Sequence, residues 1–338
     1  MRSLIIGSAE ALSSLWDAAF TRAVLIADEN TERLFGERYA SALDRLGARP
    51  LRLSFPAGEI HKTRATKETL EDAMLAAAID RHGCVVALGG GVVLDLAGFV
   101  AATYMRGIAH INVATTLLAQ VDAAIGGKTA VNTPAGKNMI GAFHPPRAVL
   151  LDTEALATLP DDELRSGLAE AIKHAVLCDE ALLADIEVWA ERRASLRPPD
   201  DVVSRAAAIK ERIVAEDPSE RGRRYLLNFG HTVAHAIEHA TENRTPHGHA
   251  VGIGMLIESR LAFPDDDVAR LRRLLASLGL PFAAPCSFSD ALPYLAVDKK
   301  NRAGTVRCAL PERIGKCREG VWTQPVELDA LARVWERA

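Results

Sequence analysis

The 338-residue sequence has no apolar run close to the ~20 residues that a transmembrane helix needs. Its N-terminus lacks a long apolar segment with a cleavage signature, so we expect no secretory signal peptide. It also lacks an excess of positive charge, since its formal net charge is −4. The general basic field that nucleic-acid binding needs is therefore missing, and an anionic small molecule would have to be held by locally clustered cations.

Cysteine is scarce, and its number and spacing argue against two common roles. The five cysteines contain no C-x-x-C pair and are odd in number, which disfavours a disulfide framework and a thiolate zinc site. This pattern is typical of a reducing compartment, and we expect the protein to be cytoplasmic. We find no internal repeat and no low-complexity segment. The mix of 49% hydrophobic and 25% charged residues is that of a globular protein, and the length indicates two domains.

Short apolar runs alternate with helical patterns in the first half of the chain, which indicates a mostly parallel sheet. Strands are predicted at 3–6, 23–27, 50–54, 85–88, 111–113 and 148–151, with a helix at 66–80. The pattern then becomes helical, with helices predicted at 200–216, 227–240, 249–261 and 268–278, and one late strand at 306–309. We therefore predict an α/β domain at 1–153 and a mainly α-helical domain at 154–338.

The stretch 84–144 carries the densest group of candidate binding residues. A buried-strand pattern ends in Gly89, Gly90 and Gly91, and Asp95 follows within the next turn. A strand followed by a Gly-rich turn brings backbone N–H groups up to a phosphate in nucleotide-binding folds. A later polar cluster is typical of a surface that binds an anionic, hydroxyl-rich molecule: Asp122, Gly126, Gly127, Lys128, Thr129, Asn132, Lys137 and Asn138. Two ordinary loops with solvated lysines are the alternative.

Two features of the second half carry candidate metal ligands and acid–base groups. Glu170 and Lys173 are three residues apart on one helix face, among apolar neighbours that usually require a carboxylate to have a partner. His231 and His235 share another helix face, and His247 lies at the mouth of the following helix. One Glu and two His would make an open zinc site. A surface helix with scattered histidines is the alternative, and spacing leaves open which three groups bind.

A series of motifs occurs in the order GGGVVLDLAGFVAATYMRG, TTLLAQVDAAIGGKTAVNTPAGKNMIGAF, SGLAEAIKH, LNFGHTVAHAIE, HGHAVGIGM and DKKNRAG. In this order and spacing they resemble the 3-dehydroquinate synthase family of sugar-phosphate cyclases, from about residue 28 to 315. The resemblance implies a Rossmann-like NAD-binding α/β domain, a helical metal- and substrate-binding domain and a homodimer.

The resemblance also implies a reaction. The enzyme would convert 3-deoxy-D-arabino-heptulosonate 7-phosphate to 3-dehydroquinate and phosphate, a step of the shikimate pathway of aromatic amino-acid biosynthesis. The steps would be transient oxidation by NAD, phosphate elimination, reduction, ring opening and aldol closure. The metal would be zinc or cobalt, and NAD would be regenerated, so the protein would chiefly position groups and stabilise charge.

Individual roles follow from the same resemblance. NAD would be held by Asp28, Asn30, Glu59, Lys62, Gly89, Gly90, Gly91, Asp95, Thr115, Thr116, Asp122, Lys128, Thr158 and Glu163. The metal would be held by Glu170, His231 and His247. Substrate would be bound by Arg106, Asp122, Lys137, Asn138 and one of Lys299 and Lys300. Catalysis would use Lys128, Lys173, Lys210, Arg224, Asn228 and His235, with His235 as a proton-transfer group.

The chain departs from the family pattern at a few positions. Leu94 stands where glycine is common and would crowd the cofactor pyrophosphate. His249 stands where Glu is frequent, which places a second imidazole near His247 and leaves the ligand assignment open. Smaller departures occur at Ala114, Ala130 and Ala234.

Three rival functions remain at this point. Sister cyclases make valiolone-type, deoxy-inosose or aminated quinate rings; relatives that do not bind a carboxylate tend to differ at the positions of Asn228 and the late lysine, and both are intact here. A metal-dependent polyol dehydrogenase would release NADH and need fewer anion-binding cations. A non-catalytic descendant would have lost some of the residues named above.

Overall fold

The structure is a computed structural model that describes residues 3–296 and 305–337. The chain divides into two compact units, Met1–Leu159 and Pro160–Ala338. The boundary predicted from the sequence, at residue 153, falls at the start of the 3₁₀ helix Thr153–Thr158 that closes the first unit. Lys299 and Lys300 lie outside the described residues.

The first unit is built on a six-stranded parallel sheet. Its strands are β1 (Ser3–Ile6), β2 (Ala23–Asp28), β3 (Leu51–Phe55), β4 (Cys84–Gly89), β5 (Ala109–Ala114) and β8 (Ala148–Leu151). Their spatial order is β1-β8-β5-β4-β2-β3, and every pair is parallel. All residues of β4 and β8 are buried, as expected for continuous apolar runs covered on both faces. The predicted fold class, a parallel α/β domain followed by a mainly helical domain, is confirmed.

Helices flank this sheet, and a hairpin extends the unit. The α-helices are α1 (Leu12–Leu15), α2 (Glu29–Thr31), α3 (Glu37–Arg45), α4 (Arg64–Ala76) and α5 (Gly91–Thr103). Short 3₁₀ or π segments cover Ala9–Ala11, Glu32–Gly36, Glu59–His61, Tyr104–Arg106 and Ala119–Ala123. An antiparallel hairpin, which the sequence patterns did not predict, joins β6 (Lys128–Thr133) to β7 (Gly136–Phe143).

The second unit is mainly helical. Its α-helices are α6 (Asp161–Cys178), α7 (Glu180–Arg192), α8 (Asp200–Glu216), α9 (His231–Ala240), α10 (His247–Ser259), α11 (Asp265–Ser277), α12 (Phe288–Ala296) and α13 (Leu328–Trp335). A 3₁₀ helix covers Arg223–Asn228, and β9 (Thr305–Cys308) pairs with β10 (Gln324–Glu327). The prediction of one helix over 227–240 is wrong, because Gly230 has a φ of +79° and separates the 3₁₀ helix from α9.

Helix α10 packs closely against α9. A Cβ atom on Gly254 would lie only 2.0 Å from the Gly230 carbonyl oxygen, so a larger residue at 254 would force the two helices apart. This contact fixes the distance between two helices that carry candidate metal ligands.

Within the described part of the chain, no helix is both long and apolar enough to cross a membrane. All five cysteines are free thiols.

Candidate functional site

Three helices of the second unit bring Glu170, His231 and His247 together. Glu170 Oε1 lies 3.4 Å from His231 Nε2 and 3.5 Å from His247 Nε2. The three donor atoms lie within 4.8 Å of one another. Helix α6 supplies the carboxylate, whereas each histidine is the first residue of its own helix, α9 or α10. The group therefore depends on the packing of three separate segments.

The spacing of these donor atoms fits a zinc ion. Ligand atoms about 2.0–2.2 Å from a tetrahedral Zn²⁺ lie about 3.3–3.6 Å from one another. The two distances to Glu170 Oε1 fall within that range, and one oxygen with two nitrogens is a donor set that zinc accepts while keeping an open position. The three residues could thus hold a catalytic zinc ion.

The second ring nitrogen of each histidine, Nδ1, also lies close to a hydrogen-bond acceptor. His231 Nδ1 lies 3.3 Å from the Phe229 carbonyl oxygen, and His247 Nδ1 lies 3.2 Å from Glu238 Oε1. Protons on the two Nδ1 atoms would serve these acceptors and leave both Nε2 lone pairs for a metal. Glu238 was missed in the sequence analysis, although its place three residues after His235 puts it on the same helix.

Lys173 forms a buried ion pair with this group. Its Nζ contacts Glu170 Oε2, and the two side chains are 1% and 0% exposed. Burial alone would raise the pKa of Glu170, but Lys173 and the two histidines hold that pKa well below its usual range. The carboxylate is therefore ionised and ready to bind a cation at neutral pH.

The pKa values of the two histidines are shifted in opposite directions. Burial and the Lys173 ammonium lower the pKa of His231. Burial would also lower the pKa of His247, but hydrogen bonds to Glu170 and Glu238 raise it to about 10. In the metal-free protein His247 is thus protonated at neutral pH, and a metal ion would displace that proton.

His249 does not join the metal group. Its Nε2 lies 4.0 Å from Asp162 Oδ1 in the first turn of α6, and the group of donor atoms formed by Glu170 and the histidines includes His247 but not His249. The unusual imidazole at 249 therefore faces an acidic residue and not the group of Glu170, His231 and His247.

A cavity of about 480 Å³ opens beside the metal group in the second unit. Three predicted site residues line it, namely Asn228, His231 and His235. The rings of His231 and His235 meet edge to face with centroids 5.5 Å apart. The other lining residues, which the sequence analysis did not single out, are Ser219, Glu220, Tyr225, Thr232, Tyr294, Leu295, Arg307, Ala309 and Thr323.

Lys210 and Arg224 are buried cations of the same unit. Lys210 lies on α8 and is 7% exposed, and Arg224 lies in the 3₁₀ helix that precedes α9. Arg224 Nη1 donates a hydrogen bond to the Pro218 carbonyl at 3.1 Å. Removing a charge from water is costly, so a buried cation is usually paired with an anionic or polar group.

Several of the predicted cofactor residues of the first unit lie at the carboxyl ends of the sheet strands. Asp28 ends β2, where its side chain accepts a hydrogen bond from the Thr31 amide. Gly89 ends β4 and the other two glycines follow it, and Thr115 and Thr116 follow β5, with the Thr115 amide bonded to the Gly89 carbonyl at 3.1 Å. Ligands of open α/β sheets bind at this edge.

Helix α5 begins directly at the Gly-rich turn. Its N-cap is Gly90, no side chain caps it, and its first turn has no acidic residue. The unbonded amides of such a helix start are a natural pyrophosphate site, so this unit fits a dinucleotide. Leu94 is 2% exposed and lies in the core of the unit.

A buried lysine, itself a predicted residue, contacts two other predicted residues of the first unit. Lys62 Nζ lies 2.5 Å from Asp95 Oδ2 and 2.6 Å from Asn138 Oδ1. Nearby, Glu59 Oε1 accepts a hydrogen bond from Asn132 at 2.7 Å. The β6–β7 hairpin is thus tied to α5 and to the turn at Glu59.

The remaining predicted residues of the described chain are half-buried or exposed. Asp122 is half-buried in a π segment. Exposed positions are occupied by Asn30, Arg106, Lys128, Lys137, Thr158 and Glu163.

Replacing the buried lysine should destabilise the protein. We expect Lys62→Met to cost about 3 kcal/mol, at the low end for a broken buried pair because Asp95 is partly exposed. This corresponds to a fall in Tm of about 6–12 °C. Lys67→Met is the control, since its pair with Glu71 joins residues four apart on a helix and contributes about 0.3–0.5 kcal/mol. Equal Tm values for the two variants would contradict the structural role of Lys62.

Comparison with known proteins identifies close relatives. Residues 52–166 match the family model for the N-terminal part of 3-dehydroquinate synthase, and residues 167–301 match the model for its C-terminal part. The 3-dehydroquinate synthase of Symbiobacterium thermophilum is 44% identical over 320 residues, which cover 92% of this chain and 88% of that protein.

Solved structures of cyclases have the same fold. A 2-deoxy-scyllo-inosose synthase, complexed with carbaglucose-6-phosphate, NAD⁺ and Co²⁺, superposes with a TM-score of 0.88 at 26% identity and covers 99% of this chain and 96% of its own. The 2-epi-5-epi-valiolone synthase of Streptomyces hygroscopicus subsp. jinggangensis, with NAD⁺ and Zn²⁺ bound, gives 0.88 at 29% identity and covers 100% and 96%.

Proposed function

This chain belongs to the 3-dehydroquinate synthase family, and from that premise we propose that it converts 3-deoxy-D-arabino-heptulosonate 7-phosphate to 3-dehydroquinate and phosphate. The reaction would make it a carbon–oxygen lyase that depends on NAD and on zinc or cobalt. The observation that carries the proposal is the group of Glu170, His231 and His247, in which Glu170 is fully buried and paired with the buried Lys173. The solved relatives with bound NAD⁺ and Co²⁺ or Zn²⁺ support the same cofactors.

Each unit has a separate task in this proposal. In the first unit the amides at the start of α5 would bind the NAD pyrophosphate, and Asp28 would accept hydrogen bonds from ribose hydroxyls. In the second unit Glu170, His231 and His247 would hold the metal. When bound, the metal would supply Lewis-acid polarisation of a substrate oxygen, and NAD would accept a hydride and return it.

The remaining residues would bind and orient an anionic substrate. Buried Lys210 and Arg224 offer the phosphate and carboxylate charge-assisted hydrogen bonds that water does not screen. Asn228 offers an amide in the cavity beside the metal group. His235, in the same cavity, would carry a proton to or from the substrate. The other assignments read from the family motifs stay part of the proposal, including one of Lys299 and Lys300.

The proposal also includes a homodimer in the cytoplasm. Five free cysteines suit a reducing compartment. Sedimentation of the purified protein would test the dimer.

A sister cyclase activity is the second candidate. Both solved relatives described above make other rings, and Leu94 and His249 depart from the family pattern. Phosphate release from 3-deoxy-D-arabino-heptulosonate 7-phosphate should therefore be compared with release from other sugar phosphates at equal concentration. Release confined to the first compound supports the proposal. Release only from another sugar phosphate would replace it with the second candidate.

The partner of His247 provides a further test. We expect Glu238→Gln to weaken zinc binding by about 10- to 100-fold, because a neutral amide holds the proton on His247 Nδ1 less strongly than a carboxylate does. Competition with a chelator would measure the affinity. The control is Glu242→Gln, an exposed carboxylate just beyond the same helix. Equal affinities of the two variants would contradict the role of Glu238.

A further inference from the structure

Glu258 is a buried carboxylate that the proposed reaction does not use. It lies near the end of α10 and is 0% exposed. Its Oε2 accepts a hydrogen bond from the Gly230 amide at 2.8 Å, and its Oε1 accepts one from the Val233 amide at 3.2 Å. Both donors belong to the start of α9. A residue of one helix thus caps the N-terminus of its neighbour.

The start of α9 cannot provide its own cap. The first amides of a helix have no acceptor within the helix, and a Ser, Thr, Asp or Asn side chain at the N-cap usually serves them. Here the N-cap is Gly230, which has a φ of +79°, and a Cβ at this position would lie 2.8 Å from the Met255 amide nitrogen. Glycine is therefore required at the N-cap, so the N-cap residue has no side chain with which to cap the helix, and the first turn has no acidic residue.

The burial of Glu258 has an energetic cost. Burial raises its pKa above the usual range, while hydrogen bonds from the amides of Gly230, Val233 and Thr232 oppose that rise. A fully buried carboxylate is expensive, and an apolar residue would fit the interior of this unit more cheaply. The positive end of the α9 dipole offsets part of the cost. The buried carboxyl group of Glu258, whose desolvation is unfavourable, thus lies where it links α10 to α9.

These two helices each begin with a candidate metal ligand. His231 lies between the two amides that Glu258 binds, and its Nε2 is 3.4 Å from Glu170 Oε1. His247 is the first residue of α10, the helix that carries Glu258. We propose that Glu258 is a positioning residue for the metal group: by clamping the first turn of α9 to α10 it sets the place of His231 relative to His247.

The inference rests on the metal site of the proposed function. Metal geometry tolerates errors of about 0.2 Å in ligand distance, so a first turn that slides or rotates would weaken the site without losing any ligand. Glu258 acts on the metal group only through the backbone of α9. Its loss should therefore change metal affinity and ligand geometry, beyond any effect on folding.

The test compares Glu258→Gln with Asp179→Asn. Asp179 caps α7 through the Leu182 amide at 2.9 Å, so the same carboxylate-to-amide change removes the charge of a capping group from a helix that carries no member of the metal group. We expect both variants to lose thermal stability. Only Glu258→Gln should bind zinc about tenfold or more weakly and show an altered visible spectrum with Co²⁺. If Glu258→Gln does not fold, Glu258→Asp, which shortens the clamp, is judged by the same two readouts.

The outcomes separate two kinds of failure. A folded Glu258 variant with wild-type zinc affinity and an unchanged cobalt spectrum would overturn the positioning role and leave an ordinary buried cap. Wild-type protein that binds no zinc would overturn the metal assignment itself, and the positioning role with it. Wild-type binding together with selective loss in the Glu258 variant supports the proposal.

Discussion

Glu170→Gln is expected to abolish zinc binding at concentrations that saturate the wild-type protein, and with it the turnover of sugar phosphate. The substitution keeps the shape of the side chain but removes the only negative charge among the three ligands. Loss of a hydrogen-bonding partner of a metal ligand lowers metal affinity by about 10- to 100-fold. Loss of the ligand itself should lower the zinc affinity by more than that. Metal content after dialysis and phosphate release with added zinc would measure the two effects.

Asp161→Asn is the control for this variant. It makes the same carboxylate-to-amide change on the same helix, α6, but its side chain is 68% exposed and lies outside the metal group. It should retain zinc and turnover. A Glu170→Gln protein that keeps a full equivalent of zinc would contradict the ligand assignment.

Lys173→Met should reduce turnover by about 100- to 1000-fold, the usual cost of removing a charge that stabilises a transition state. It should also lower the Tm of the metal-free protein by the order of 10 °C, because breaking a fully buried pair costs about 3–5 kcal/mol. A bound zinc ion would supply, beside Glu170, the positive charge that this variant has lost. We therefore expect zinc to raise the Tm of this variant more than that of the wild type.

Lys316→Met is the matched control, since Lys316 pairs with Glu312 on the surface with 60% of its side chain exposed. Its Tm, its response to zinc and its turnover should equal those of the wild type. A Lys173→Met variant whose Tm responds to zinc no more than the wild type would contradict the coupling between Lys173 and the metal.

Much of the fold could be predicted from the sequence. The strands β1 and β8 and the helix α8 have the predicted bounds, because each has a clear pattern, a short apolar run or a helical repeat after acidic residues. The family resemblance, carried by motifs with fixed order and spacing, is confirmed by the match of both family models and of the curated relatives.

The hairpin and the start of α9 could not be predicted. Strand β7 is mostly exposed on both faces, so it lacks the alternation of apolar and polar residues that marks a half-buried strand. At α9 the helical pattern runs on through Gly230, and a single glycine within such a pattern does not reveal that its φ is positive.

The metal group could be predicted only in part. The four-residue spacing of His231 and His235 indicates a shared face, yet the structure pairs His231 with His247 and leaves His235 in the cavity. That choice depends on how α6, α9 and α10 pack, which no local pattern encodes. Glu238 and Glu258 act through tertiary contacts with other segments, so their types and positions alone did not distinguish them from ordinary helix residues. The roles of the individual residues stay predictions.

We propose that NAD is used and regenerated within one reaction that ends in 3-dehydroquinate. The most direct test incubates the zinc-loaded protein with excess 3-deoxy-D-arabino-heptulosonate 7-phosphate and a small amount of NAD, and measures phosphate, 3-dehydroquinate and NADH. We expect phosphate and 3-dehydroquinate in equal amounts, many turnovers for each NAD, and no net NADH. Accumulation of NADH in step with substrate loss, without 3-dehydroquinate, would contradict the regeneration of NAD and indicate a dehydrogenase.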